Sequence, residues 1–206
     1  MSIQMNKTAY EQLIREDVAQ LDQMGGSLKS RLIESVLNEP ARLSYGHQDI
    51  KILDACCGSR MFWFNKKEPH TTYMDIREES LTLCDGRTTE VKPDVIADCR
   101  NTPFPDNTFN LIIFDPPHLK WVGENSWMAH KYGKLPEDWK SFLKDSMDEL
   151  MRVLKPGGTL IFKWNEHQIK VSSVLEAIKP YQPLFGHPTR RNDTTIWMSF
   201  MKFQEQ

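Results

Sequence analysis

The sequence predicts a doubly wound α/β fold with a mostly parallel β-sheet. From about residue 50 onward, short apolar runs alternate with polar or helical stretches, and four of these runs end at an aspartate. Runs that are apolar throughout are typical of strands in a parallel sheet, because crossover helices cover both of its faces. The alternation of strands with helical stretches along the chain indicates the α/β class.

The expected elements begin with a helical segment. In residues 1–49, Thr8 and Glu11 have capping-box spacing, apolar residues recur at helical intervals, and a Gly-Gly-Ser run at residues 25–27 divides the segment. We expect two helices that pack on the main domain or, alternatively, cap a substrate or form an oligomer contact. The predicted domains are a helical extension, residues 1–49, and an α/β domain, residues 50–206.

Five strands of the second domain are expected from the short apolar runs. They cover residues 51–53, 72–74, 94–97, 110–114 and 158–162. The first four end at Asp54, Asp75, Asp98 and Asp115, and the fifth ends at Lys163. Because ligands of open α/β sheets bind outside the carboxyl ends of the strands, we expect these strand ends to face a ligand.

A long helix and a last strand complete the expected elements. Residues 139–154 carry apolar side chains at helical spacing, and a Pro-Gly-Gly run at residues 156–158 stops the helix. Residues 196–203 carry apolar side chains at alternate positions, Ile196, Met198 and Phe200, followed by Lys202 and Phe203, which predicts a final strand.

Length, composition and charge exclude several classes of protein. The chain has 206 residues, of which 39% are hydrophobic and 26% charged, close to an average globular protein. This length suits one domain, or one domain with an appendage. A net charge of −2 does not indicate a strongly basic nucleic-acid-binding protein. A disordered tail, a collagen-like fibre and a disulfide scaffold are excluded.

The cellular compartment can be predicted from the spacing of the cysteines and histidines and from the hydropathy of the sequence. The four cysteines lack C-x-x-C or metal-ligand spacing, and the six histidines form no zinc-like cluster. No apolar run approaches the roughly 20 residues that span a bilayer, and the first residues lack a signal-peptide layout. We expect reduced thiols, no metal, no membrane association and a cytoplasmic location.

The first strand leads into a turn of small residues, with the sequence DACCGSRM at residues 54–61. Small residues let the backbone approach a ligand closely. Asp75 ends the second strand about 20 residues later, which is the position of an acidic residue that binds ribose hydroxyls. Only Gly58 stands where a G-x-G-x-x-G fingerprint would need three glycines. The pattern argues against a pyrophosphate ligand and fits a nucleoside without phosphates.

An Asp-Pro-Pro-His motif follows the fourth strand at residues 115–118. The two prolines restrict the backbone to a rigid, extended turn. A carboxylate and a rigid carbonyl at the ligand edge of the sheet can together accept both N–H bonds of an amino group.

Together these segments resemble the class I S-adenosylmethionine (SAM) methyltransferases over about residues 50–202. The resemblance is carried by the turn after the first strand, the aspartates at the strand ends, the Asp-Pro-Pro-His motif and the Leu-Lys-Pro-Gly-Gly run at residues 154–158. More narrowly, DACCGSRMFWF with FDPPHL is similar to small methyltransferases of phages and prophages. The resemblance implies a Rossmann-like, mostly parallel seven-stranded sheet with helices on both faces.

The resemblance also implies the cofactor and its site. The cofactor would be S-adenosyl-L-methionine, with S-adenosyl-L-homocysteine as product. The implied cofactor-binding residues are Asp54, Ala55, Cys56, Gly58, Ser59, Met61, Asp75, Ile76, Arg77, Asp98, Cys99 and Asp115. The turn would hold the methionine part, Asp75 the ribose, and Asp98 the adenine amino group, with Ile76 flanking the adenine. Cys56 stands where the family usually has glycine, and we interpret it as small filler rather than a redox group.

The implied reaction is methyl transfer to an amino nitrogen, and the implied catalytic residues are Asp115, Pro116, Pro117 and His118. Asp115 and the Pro116 carbonyl would accept the two amine protons as hydrogen bonds, so that the nitrogen lone pair points at the methyl group. Positioning and oriented acceptors would supply most of the catalysis. His118 replaces the family's usual aromatic residue; an imidazole stacks less well but can also hydrogen-bond or carry a proton.

The long stretch of residues 119–138 interleaves aromatic residues with lysines. Such a pattern suits a flipped or single-stranded base, so DNA or RNA is the expected partner. The residues expected to bind substrate are Trp121, Trp127, Lys131, Tyr132, Lys163, Trp164 and Asn165. Two alternatives remain open: an N-methyltransferase for a protein or small molecule, and a non-catalytic module of the same fold that binds a partner through residues 1–49.

Overall fold

The structure, a computed structural model, describes residues 50–61, 63–82, 86, 88–123, 126–189 and 194–204. The expected helical extension of residues 1–49 lies outside these residues. Its helices, its boundary with the α/β domain and its role in any oligomer therefore stay predictions. Within the described ranges, no helix is long and apolar enough to cross a membrane, and no group of three acidic, histidine or cysteine side chains is placed to hold a metal.

The described strands and helices follow in chain order. They are β1 (Ile52–Asp54), β2 (Thr71–Asp75), β3 (Glu79–Thr82), β4 (Thr88–Val91), β5 (Val95–Ile96), β6 (Phe109–Phe114), α1 (Trp127–Tyr132), α2 (Trp139–Val153), β7 (Leu154–Asn165), α3 (Val171–Ala177), β8 (Phe185–Pro188) and β9 (Thr195–Met201).

Seven of the strands form one sheet in the order β5-β2-β1-β6-β7-β9-β8. The pairs from β5 to β7 are parallel, and β9 pairs antiparallel with both β7 and β8. The chain builds outward from β1 first through β2 and then through β6, so the sheet has its switch point beside β1. The prediction of a Rossmann-like, mostly parallel, seven-stranded sheet is confirmed.

One face of this sheet packs against α2 and α3. Alternate strand residues on this face are fully buried: Ile112 and Phe114 on β6, and Leu160 and Phe162 on β7. They form one core with the apolar face of α2 and with Val174 of α3. Each such side chain contributes about 1.5–3 kcal/mol by leaving water. The helix expected at residues 139–154 is confirmed, and the chain passes directly from α2 into β7.

Two connections near β1 differ from the expected alternation of strands and helices. The described residues between β1 and β2 form turns, and an antiparallel hairpin of β3 and β4 stands between β2 and β5. The sequence between β3 and β4 contains an Asp-Gly pair at residues 85–86, which is a local signal for a hairpin turn. The short elements α1, α3 and β8 were not predicted either.

Arg60 secures the β1–β2 connection. Its guanidinium lies 3.6 Å from the centre of the Tyr73 ring and donates hydrogen bonds to the carbonyls of Lys66 and Lys92, both at 2.8 Å. Tyr73 lies in β2, Lys66 in the β1–β2 connection and Lys92 just after the hairpin. The Arg60 side chain therefore joins the β1–β2 connection to β2 and to the end of the hairpin.

Candidate active site

A cavity of about 430 Å³ opens at the carboxyl ends of β1, β2, β5 and β6. This volume lies within the usual range of about 300–1,000 Å³ for small-ligand sites. The expected cofactor-binding residues that line it are Ala55, Cys56, Gly58, Ser59, Met61, Asp75, Ile76, Arg77, Asp98, Cys99 and Asp115. The four expected catalytic residues, Asp115, Pro116, Pro117 and His118, line the same cavity. The structure thus brings together segments that are far apart in the sequence.

The turn after β1 presents open backbone to the cavity. Gly58 has a φ of +46°, and a Cβ atom built on it would meet no atom within 4 Å. The Gly58 N–H donates to Oδ2 of Asp75 at 2.9 Å, and the Cys57 N–H donates to the Met74 carbonyl at 2.8 Å. The turn is therefore held to the end of β2, while space remains above its backbone for a ligand.

Asp75 keeps capacity to bind a ligand although protein donors use both of its oxygens. Its side chain is nearly buried, and Oδ1 accepts hydrogen bonds from the Arg77 backbone N–H at 3.0 Å and from Arg77 Nε at 3.3 Å. Each carboxylate oxygen offers two lone pairs, so Asp75 can still accept hydrogen bonds from hydroxyl groups in the cavity.

Asp98 is paired with Arg100, which sequence reasoning missed. Arg100 Nη2 donates to Oδ2 of Asp98 at 2.6 Å, and Arg100 Nε lies 3.1 Å from both oxygens. These hydrogen bonds hold the pKa of the Asp98 carboxyl below its ordinary value, so that it accepts as an anion at neutral pH. Arg100 also lines the cavity; its position two residues after Asp98 was the available signal.

Asp54 does not line the cavity, which corrects its expected contact with the cofactor. Its side chain is fully buried, and Oδ2 accepts a hydrogen bond from Trp63 Nε1 at 2.7 Å. Oδ1 has no hydrogen-bond partner among the described residues. Burial raises the pKa of Asp54 to about 7, although the Trp63 hydrogen bond opposes the shift. Through this hydrogen bond, Asp54 ties the end of β1 to Trp63 in the connection that follows.

Cys56 lines the cavity beside Cys99. A hydrogen bond to Cys99, together with burial, raises the pKa of the Cys56 thiol well above its ordinary value. A protonated thiol at neutral pH is a poor nucleophile, which supports the interpretation of Cys56 as small filler. Cys56, Cys57 and Cys99 are all free thiols.

Asp115 forms an ion pair with Lys163 across neighbouring strands. Lys163 Nζ donates to Asp115 Oδ2 at 2.5 Å. The register explains this contact, because Phe114 on β6 is paired with Phe162 on β7, and each partner of the ion pair is the next residue. Burial raises the pKa of Asp115, and the Lys163 ammonium opposes that shift. The pair orients one carboxylate oxygen and leaves Oδ1 as the oxygen that can meet a substrate.

His118 sits on the cavity wall among aromatic rings. Its ring centre lies 5.9 Å from that of Tyr132, in a tilted arrangement, and 6.5 Å from that of Trp164, edge to face. Burial, with a smaller effect from Lys163, lowers the pKa of His118 to about 4. The imidazole is therefore neutral at pH 7 and can donate one hydrogen bond through one ring nitrogen and accept one through the other.

The expected substrate-binding residues separate into two groups. Lys131, Tyr132 and Lys163 line the cavity, where Lys134, Pro136 and Phe142 join them without having been predicted to do so. Trp121 lies outside the cavity lining with 68% of its surface exposed, and the side chain of Trp127 lies outside the described part of the chain.

Trp164 and Asn165 require a correction. Trp164 is 1% exposed, belongs to the core and donates its indole N–H to the Ile169 carbonyl at 2.9 Å. Its side chain falls on the buried face because strand residues alternate between faces. Asn165 is next along β7, and its side chain binds Thr195 and the backbone of His167. Neither side chain lines the cavity.

No protein-family model matches the chain. Among curated proteins, the chain is similar to the ubiquinone/menaquinone biosynthesis C-methyltransferase UbiE of Neisseria meningitidis serogroup B, with 33% identity over 123 residues. The UbiE protein of a serogroup C strain is 32% identical over a stretch of the same length. Each match covers 58% of this chain and 38% of the relative, so the chain spans well under half the length of the curated relatives it matches.

Solved structures with a similar fold were also found. The PH0226 protein from Pyrococcus horikoshii OT3 is 17% identical, with a TM-score of 0.49, over 86% of this chain and 92% of that one. A TehB-like SAM-dependent methyltransferase from Corynebacterium glutamicum is 16% identical, with a TM-score of 0.47, over 95% of this chain and 100% of that one. At these identities and TM-scores, the structural similarity adds no support to the fold assignment, which already follows from the strand order.

Proposed function

We propose that this chain is a SAM-dependent methyltransferase. The observation that carries the proposal is the cavity at the switch point of the sheet, which several distant segments line together. It joins the open turn at Gly58, the strand-end carboxylates Asp75 and Asp98, and the Asp-Pro-Pro-His motif at residues 115–118. The 33% identity to the UbiE methyltransferases supports the same class of reaction.

The residues present fit a nucleoside cofactor of this kind. The open space above Gly58 accommodates the methionine part close to the backbone. The Asp75 carboxylate accepts hydrogen bonds from the ribose hydroxyls, and Asp98 accepts one from the adenine amino group. Ile76, whose side chain is 61% exposed, offers an apolar surface to the adenine ring. S-Adenosylmethionine would supply an electrophilic methyl group on a sulfonium, with S-adenosylhomocysteine as the leaving group. The protein has to orient the acceptor and take up the one proton that the amine releases, for which the Asp115 carboxylate is available.

The acceptor in this proposal is an exocyclic amino group of a nucleic-acid base. Lys163 holds Oδ2 of Asp115, which leaves Oδ1 to accept one N–H of the amine while the Pro116 carbonyl accepts the other. With both protons held in this way, the nitrogen lone pair points away from the acceptors and towards the methyl group. Such fixed acceptors act by orientation and electrostatics.

Basic and aromatic residues on the cavity wall support a nucleic-acid substrate. Lys131 and Tyr132 end α1, and Lys134 follows them; all three line the cavity. Lysines next to an aromatic ring suit a base with its phosphates, since the ring stacks and the ammonium groups attract the anion. The narrower resemblance to phage methyltransferases stays a prediction.

Methylation of a small molecule is the second candidate. The curated relatives are C-methyltransferases of quinone biosynthesis by name, and the chain's net charge of −2 provides no overall attraction for a polyanion. In that case the whole small-molecule substrate would bind in the cavity, whereas a nucleic-acid strand would place only one base there.

Methyl-labelled SAM offered to separate pools of DNA, RNA, protein and small metabolites tests the proposal. We expect nuclease-sensitive label in DNA or RNA. Asp115→Ala should abolish transfer while SAM binding, measured by calorimetry, survives. Label in the metabolite pool alone would favour the second candidate, and a protein that binds no SAM would contradict the proposal altogether. Unchanged turnover by Asp115→Ala would exclude the mechanism given for the amine.

A further inference from the structure

We propose that Trp121 is a stacking platform for a second base of a single-stranded nucleic acid, outside the cavity, and that Gln168 is the positioning residue that fixes it. This role rests on the proposed nucleic-acid substrate and makes it more specific. The substrate would be a strand, of which one base enters the cavity while a neighbouring base lies on the Trp121 indole.

The Gln168 side chain forms hydrogen bonds with both the N–H and the carbonyl of the Trp121 backbone. Its side-chain Oε1 accepts the Lys120 N–H at 2.6 Å and the Trp121 N–H at 2.9 Å. Its Nε2 lies 3.4 Å from the Trp121 carbonyl oxygen, to which it donates. The loop after β6 is therefore fastened to the loop after β7 by one amide side chain, 47 residues further along the chain.

The residues before these hydrogen bonds also hold the backbone in place, while the indole stays exposed. Leu119 is buried, and its carbonyl accepts the Leu135 N–H at 2.9 Å. Trp121, two residues later, keeps 68% of its surface exposed. A large ring on a fixed backbone loses little further freedom on binding, which is the property of a preorganised contact.

The platform lies at the same edge of the sheet as the cavity. β6 and β7 are parallel neighbours, so the loops after them leave the sheet on the side where the cavity opens. His118 lines the cavity, and three residues of extended chain separate it from Trp121 by at most about 11 Å. A nucleotide adjoining the one in the cavity can therefore reach the indole.

The charges around Trp121 suit a phosphate backbone. Lys120 Nζ lies 5.5 Å from the Trp121 ring centre. His167 precedes Gln168 in the facing loop. Lys170 offsets the negative charge of Glu166, from which its Nζ lies 3.7 Å, so Lys120 contributes the positive charge beside the ring. Stacking on an aromatic ring is tolerant of base identity, so we expect recognition of a strand here rather than of a sequence.

Binding of fluorescein-labelled single-stranded DNA and RNA oligonucleotides at one fixed salt concentration tests the platform. Trp121→Ala should weaken binding about 5- to 150-fold, the range for loss of one stacked base, whereas Trp121→Phe should retain most of it. Phe203→Ala is the matched control: Phe203 is 67% exposed and follows β9 at the opposite edge of the sheet, so binding should not change. SAM affinity should be the same in all variants.

Gln168 is tested by a pair of variants. Gln168→Ala removes the acceptor, so the KM for the oligonucleotide should rise with kcat and the KM for SAM unchanged. Gln168→Glu keeps an oxygen that accepts both N–H groups but loses the donor to the Trp121 carbonyl and adds a negative charge beside the strand, so it should restore the KM only in part. A rise in both KM values, or an unchanged oligonucleotide KM in Gln168→Ala, would overturn the positioning role.

The outcomes separate this inference from the proposed function. If wild-type protein binds and methylates oligonucleotides but Trp121→Ala binds them equally well, the platform is wrong and the proposed function stands. If wild-type protein binds SAM but neither DNA nor RNA, the nucleic-acid substrate is wrong, and the platform is wrong with it.

Discussion

At the scale of single residues, the cavity is organised by carboxylates that have basic partners. The pairs are Asp75 with Arg77, Asp98 with Arg100, and Asp115 with Lys163. Each basic partner holds its carboxylate by hydrogen bonds or an ion pair, and each carboxylate retains lone pairs that can accept from a ligand. Asp54 differs, because it is fully buried, with a tryptophan N–H as its hydrogen-bond donor.

Asp75→Ala should weaken SAM binding by about 1–3 kcal/mol, the range for hydrogen bonds to a charged group. The variant also loses the acceptor for the Gly58 N–H, so the turn is freed at the same time. Calorimetric titration with SAM measures the change. Glu79→Ala is the control, because Glu79 pairs with the same Arg77 without lining the cavity; a loss of affinity equal to that of Asp75→Ala would contradict the role of Asp75.

Asp54→Asn should change how stability depends on pH. The folded-state pKa of about 7 lies above the ordinary value of 3.8, so the folded protein holds a proton that the unfolded chain has lost. The contribution of Asp54 to stability is therefore fully present below about pH 3.8 and is lost as the pH rises to about 7. The free energy of unfolding of the variant, relative to that of wild type, should therefore rise between about pH 3.8 and pH 7 and stay constant above pH 7. Thermal unfolding measured at several pH values checks this; a constant difference would contradict it.

At the scale of elements, the turn that ends α1 packs closely against the Asp-Pro-Pro-His motif. Gly133 ends α1 with a φ of +75°, and its N–H donates to the Ala129 carbonyl at 2.8 Å. A Cβ atom at Gly133 would lie 2.9 Å from Pro117 Cγ. The backbone after α1 therefore has to approach the motif more closely than a side chain allows.

Gly133→Ala should lower both stability and turnover. Gly133 has a φ of 75° and a ψ of 166°, a conformation essentially restricted to glycine, so an alanine there costs about 1–3 kcal/mol. Displacement of Pro117 should cut kcat tenfold or more, since about 1 Å of misplacement can cost on the order of 100-fold. Gly123→Ala is the control, because a Cβ atom there meets nothing within 4 Å. Thermal unfolding and the methyl-transfer assay measure the two effects; equal behaviour of the two variants would show that the contact is unimportant.

At the scale of the whole molecule, an apolar core in the described part of the chain packs the sheet against α2 and α3. This packing holds the strand ends in place. Leu143 and Leu150 of α2 are fully buried against the β6 and β7 strands that carry Asp115 and Lys163. Packing of α2 therefore supports the geometry of the ion pair, although α2 itself supplies few groups to the cavity.

Leu143→Ala should reduce the free energy of unfolding by about 2–5 kcal/mol, because it removes buried methyl groups and leaves a cavity in the core. Leu184→Ala removes the same atoms from a side chain that is 51% exposed and should change stability by at most about 0.5 kcal/mol. Denaturant titration of both variants gives the comparison. Similar losses from the two would show that α2 is not part of the core described above.

The sequence by itself determined the strands that end at the cavity, the helix expected at residues 139–154 and the meeting of Asp75, Asp98 and Asp115 at one edge of the sheet. These features depend on local patterns: apolar runs, helical spacing and turn residues act over a few positions of the chain. Only the tertiary structure decided that Lys163 pairs with Asp115, that Trp164 lies in the core, and that Gln168 holds the loop of Trp121. Those contacts join residues on different strands and loops, and strand register and packing, not local propensity, bring them together.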